Sequence, residues 1–102
     1  MPKPLSPREI VRYNRLMAQV ISFKYALDRH KPGPAAAATV IALNRIMALA
    51  NIVYSREPER QKFHPLPAAY AYTTADLAIA LTPLVLAGLN FEERYEAQTR
   101  PH

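Results

Sequence analysis

Residues 34–57 read PAAAATVIALNRIMALANIVYSRE, and this stretch decides the fold. It contains no Gly and no Pro after its first residue, and Ala, Leu, Met and Arg, all good helix formers, dominate it. Pro34 suits a first helical turn, where its missing N–H would be unpaired anyway. Pro58 pushes Glu57 out of the helical region and so marks the end. At ~1.5 Å per residue such a helix is about 36 Å long, enough to cross a small domain. It is expected to be the element on which the others pack. Val40, Leu43, Ile46, Met47, Ala50, Val53 and Tyr54 fall on one arc, and Asn44, Asn51 and Ser55 form a narrow polar strip. Ile41 and Ile52, with Ala48 between them at helical spacing, are expected on the outer side as a self-association surface.

Upstream, Ser6-Pro7-Arg8-Glu9 is a strong helix start: Ser6 caps, Pro7 fits the first turn and Glu9 completes a capping box. The helix is expected over residues 7–30, ending before Lys31-Pro32-Gly33-Pro34, a short connection that makes the first two helices antiparallel neighbours. Residues 1–5 read as a loose arm. Tyr13, Leu16, Met17, Val20, Phe23 and Leu27 share an apolar arc, and Arg8, Arg12, Arg15 and Arg29 lie opposite. Lys24 projects within the apolar arc with Asp28 as its available partner.

Downstream, residues 58–72 form a proline-rich connector. Thr73-Thr74-Ala75-Asp76 opens the next helix, expected over residues 74–89 and kinked at Pro83, with Gly88 as its stop. This helix is apolar nearly all round, as buried helices are. Asn90 is expected to cap a short terminal helix over residues 91–98, with Phe91 and Tyr95 paired one turn apart and residues 99–102 frayed. No stretch alternates with period two. The fold class is therefore all-α, a small antiparallel bundle of three main helices plus a short C-terminal one.

Half of the 102 residues are hydrophobic, so one domain can bury a core. Cys is absent, which excludes disulfides, thiol nucleophiles and Cys-based metal sites. With only Gly33 and Gly88, no Gly-rich phosphate loop can form. No acid–base constellation or metal-ligand spacing is visible, and Asp76 is explained by its helix start. Neither an enzyme nor a cofactor is expected. The N-terminus has no signal-type apolar core, and the apolar run Leu77–Leu89 is short for a membrane span. A cytoplasmic protein without membrane contact is expected.

The net charge of +5 is uneven. Residues 1–31 hold seven Lys or Arg against two acids, whereas residues 67–102 hold two against four. Such polarity favours anionic partners at the basic end. The Arg8/Arg12/Arg15 ridge, with Arg29, is the candidate contact for an acidic protein surface or for DNA or RNA phosphates; the same spacing also fits a solvated outer face. In the connector, Arg60, Lys62, Phe63, His64, Tyr70 and Tyr72 are candidate contact residues, because Tyr and Arg suit interfaces; closing one end of the bundle is the equal alternative for Phe63, Tyr70 and Tyr72. The expected function is a non-enzymatic interaction protein docking on a larger protein or nucleoprotein complex. Direct nucleic-acid binding is the alternative, and a homodimer is compatible with both.

Overall fold

The computed structural model describes residues 5–57, 62–67 and 69–95. Three helices make up an all-α bundle: α1 (Pro7–Arg29), α2 (Ala37–Val53), which ends in a 3-10 turn (Tyr54–Arg56), and α3 (Thr74–Arg94). Both expected capping boxes form. The Ser6 hydroxyl accepts from the Glu9 amide while the Glu9 carboxylate accepts from the Ser6 amide, and Thr73 and Asp76 repeat the exchange. Leu5 and Tyr72 each precede a cap, with Ile10 and Leu77 four positions into the helices. These are hydrophobic-staple positions, and all four side chains join the core. Leu5 is thus buried and anchors the chain where a loose arm was expected.

The first helix, rather than the second, is central: α1 packs on both neighbours more extensively than α2 and α3 pack on each other. Tyr13, Leu16, Val20 and Leu27 are its buried face. Lys24 stays exposed and pairs with Asp28 at 2.9 Å.

Helix α2 starts at Ala37, three residues after the expected Pro34, and has no side-chain cap. The reason lies in the tertiary structure. The Ala35 amide donates to the Tyr72 carbonyl at 2.8 Å, the Thr74 amide donates to Gly33 at 2.9 Å, and Pro34 and Thr73 form an isolated β-bridge. This strand-like pairing keeps residues 34–36 extended and fixes the α1–α2 link against the start of α3.

Helix α3 runs undivided through Pro83, as expected, but departs from expectation at its end. Gly88 does not stop it; residues 91–94 of the expected terminal helix are its last turn, and residues 96–98 lie outside the described ones. Gly88 serves close packing. A Cβ there would stand 2.6 Å from the Met17 sulfur, and the Gly88 carbonyl accepts from the Tyr13 hydroxyl at 3.0 Å.

The bundle closes at this end with aromatic rings drawn from every element. Phe91 stacks on Tyr13 at 4.5 Å and meets Tyr54 at 5.4 Å and Tyr95 at 4.8 Å, and Phe63 lies 6.4 Å from Tyr54. Such pairs add about 0.5–1.5 kcal/mol each beyond their buried area. Burial, together with the nearby Glu92 carboxylate, pushes both the Tyr13 and Tyr54 phenols up from the usual range. The Arg94 guanidinium bonds Glu57 at 2.7 Å and ties the end of α3 to the end of α2.

Candidate interaction surfaces

The arginine ridge stands on the solvent side of α1. Arg8, Arg12 and Arg15 are exposed, span about 10 Å along the axis, and have no ion pair with a described residue. Their arc is not purely basic. Val11, Ile21 and Tyr25 are also exposed on this outer side, each by more than half. Arg29 joins the surface through Tyr25, its guanidinium lying 5.3 Å from the ring centroid. That distance is within cation–π range and holds both side chains in one geometry. Sequence reading had named Arg29 but not Tyr25; the aromatic one helical turn before an arginine was the available signal.

The connector is partly core. Of its two readings, Phe63 takes the packing one and not the contact one: it is 5% exposed and belongs to the core. The cause is a pair of asparagines on α2. The Asn51 side chain donates to the Phe63 carbonyl and accepts from its amide, both at 2.8 Å. Asn44 does the same with Leu66, at 3.0 and 2.7 Å. Asn44 and Asn51 lie about 10 Å apart along the helix, and three extended residues cover about the same distance. Pro65 and Pro67 hold their predecessors out of helical conformation, so the segment stays extended over that span. The polar strip on α2 is therefore a ladder to which the connector is strapped, with each carboxamide standing in for a neighbouring strand.

The remaining connector candidates are more available. Lys62 and His64 are exposed, and Tyr70 is 68% exposed. Tyr72 is half-buried and its hydroxyl donates to the Pro67 carbonyl at 2.8 Å, so it braces the turn. Arg60 lies outside the described residues. The structure does not bring the α1 ridge and these side chains into one cluster by any hydrogen bond or ion pair among the described residues. Ile41, Ala48 and Ile52 are exposed together on the outer side of α2, where Arg45 interrupts them.

A third surface was missed. Helix α3 was read as buried, yet it is the third member of a small bundle and only one of its sides is covered. It is long and apolar enough to span a membrane by length and composition, and 28% of its most apolar window is buried. Its outer side carries Ile79, Leu86 and Leu89, each more than half exposed. Among the described residues, no three His, Asp or Glu side chains gather where a metal ion could bind. Comparison with protein-family models, with curated proteins and with solved structures finds no match for this chain.

Proposed function

We propose that this chain is a non-enzymatic interaction protein that docks on a larger protein or nucleoprotein assembly, as adaptor or inhibitor, through the outer face of α1. One observation carries the reading: the exposed half of α1 holds Arg8, Arg12 and Arg15 with Val11 in its N-terminal half, and Ile21 and the Arg29-braced Tyr25 further along. Interfaces between proteins combine apolar side chains with Arg and Tyr in this way. A surface that only followed phosphates would need the cations and not the apolar groups. The partner surface that fits is acidic with an apolar depression. The cations steer the encounter, and the apolar groups and Tyr25 slow dissociation.

The test compares wild type with the Arg8→Glu/Arg12→Glu/Arg15→Glu variant in affinity capture from source-cell lysate, each with and without nuclease. The reading expects a protein that survives nuclease, is lost with the variant, and is retained by a control variant reversed at Arg45. Captured nucleic acid, with its proteins lost after nuclease, would move the ridge to phosphate binding. Equal capture by wild type and variant would remove α1 from the interface.

A further inference from the structure

Around its circumference α3 is almost wholly apolar, but only Leu77, Leu81, Leu84, Gly88 and Phe91 turn to the bundle and are buried. On the opposite side Ala75, Ile79, Thr82, Leu86 and Leu89 are all exposed, Ile79 by 72% and the two leucines by 54% each. Their spacing alternates steps of four and three, the repeat of a helix–helix seam. We propose that this seam is a two-fold contact in which α3 packs antiparallel against α3 of a second copy of the chain.

Three observations select that occupant. The first is self-complementarity, which a two-fold interface requires. Run antiparallel about Thr82, the stripe sets Ile79 against the second copy's Leu86, small Ala75 against large Leu89, and Thr82 against itself. The Thr82 hydroxyl is already satisfied by the Ala78 carbonyl at 3.1 Å, so the seam's central polar group needs no new partner.

The second is charge. The C-terminal end of α3 carries exposed Glu92 and Glu93, while Arg94 is engaged by Glu57 of its own chain. The other end of α3 is bonded to the link that holds exposed His30 and Lys31. That end also holds exposed Asp76, so antiparallel packing brings the two acids of one copy beside a nearly neutral Asp76/Lys31 end of the other. Parallel packing would set acids against acids.

The third observation separates a second copy from a lipid surface. Interfacial helices flank their apolar side with Lys and Arg. Here the ionisable residues of α3 are Asp76, Glu92, Glu93 and the paired Arg94, the wrong sign for an anionic membrane. About ten residues a side would be covered, against the 20–30 of a standard interface. The dimer is therefore weak and concentration-dependent, with a Kd on the order of tens of micromolar. This face lies on a different helix from the arginine ridge, so its fate is independent of the docking function.

The experiment uses the chain's lack of Cys, which makes any introduced thiol the sole one. Under mild oxidation Thr82→Cys should give a covalent dimer. Ala75→Cys alone should not, but a mixture of Ala75→Cys with Leu89→Cys should. Sedimentation equilibrium of the wild type should show reversible dimerisation, and Leu86→Glu should weaken it on the order of 100-fold with helix content unchanged. A wild type that stays monomeric at about tenfold above the expected Kd overturns the proposal. So does Ala75→Cys cross-linking to itself as readily as Thr82→Cys, which would mean parallel packing. Flotation of the wild type with phosphatidylcholine vesicles, abolished by Leu86→Glu, would assign the face to lipid instead.

Discussion

Asn44 and Asn51 show how much of this structure hangs on single side chains. Each satisfies both the amide and the carbonyl of one connector residue, buried Phe63 or half-buried Leu66. Removing one leaves two backbone groups without partners, at about 1–3 kcal/mol for a buried unsatisfied group. Asn51→Ala and Asn44→Ala should each lower stability by about 1–2 kcal/mol, or roughly 4–16 °C in Tm for a domain of this size. Asn51→Ala should also raise the amide exchange rate of Phe63; unchanged exchange would show that the strap holds without the ladder. Two tyrosines give a contrasting pair. The Tyr13 hydroxyl donates to the Gly88 carbonyl, whereas the buried Tyr54 hydroxyl has no partner among the described residues. Tyr13→Phe should cost about 1 kcal/mol, and Tyr54→Phe should be neutral or stabilising, as chemical denaturation of each would show. The capping boxes were legible because Ser6 and Glu9, or Thr73 and Asp76, lie three residues apart. The asparagine ladder was not, because its partners lie twelve and twenty-two residues away and nothing local marks them. Sequence left Phe63 undecided between contact and core for the same reason: an irregular segment has no periodicity to say which way a ring points.

At the scale of the element, the helices were legible from period and caps, and their ends were not wherever tertiary contacts decide them. Pro34 fits a helix start by local rule, but the pairing of residues 33–35 with Tyr72–Thr74 takes precedence. Gly88 fits a helix stop, but the helix continues through it, and the space a Cβ would take is filled by the flexible end of Met17 from α1. Pro83 is the element's open conflict. It lies inside α3, removes the amide that the Ile79 carbonyl would accept from, and tolerates this because Ile79 faces solvent. An interior proline costs about 3 kcal/mol against Ala. Pro83 is half-buried, so replacing it also gives up some packing. Pro83→Ala should therefore stabilise by about 1–2 kcal/mol and raise Tm. A lower Tm would mean that the proline sets a curvature which the contacts of α3 with α1 require. The apolar outer side of α3 was misread because an all-round apolar helix implies burial only when neighbours surround it, and a three-helix bundle supplies them on one side.

At the scale of the molecule, the aromatic end couples all three helices to proton binding. Tyr13 of α1 and Tyr54 at the end of α2 meet at Phe91 of α3, so their environment exists only in the assembled fold. Both phenols are held above the ordinary value of about 10, first by burial and then by the Glu92 carboxylate, with Glu57 adding to Tyr54. The unfolded chain releases these two protons near pH ~10, and the folded chain keeps them. Above that pH the native state binds more protons than the unfolded state, so stability falls as pH rises; below it the contribution is fully present. Each phenol adds a slope of up to about 1.4 kcal/mol per pH unit, and the pair up to about 2.7. A domain of this size has about 5–15 kcal/mol to lose, so the pair removes the lower end of that range within about two units above pH ~10, and stability falls steeply there. Tyrosinate absorbance and far-UV circular dichroism, followed together through an alkaline titration, should show part of the tyrosinate signal appearing only as the helix signal is lost. Tyr54→Phe should halve the slope of stability against pH while leaving neutral stability intact, since its hydroxyl makes no bond among the described residues. If the tyrosinate signal were complete while the helices persisted, the aromatic end would be open to hydroxide, and its rings could not be the seal that joins α1, the end of α2 and α3.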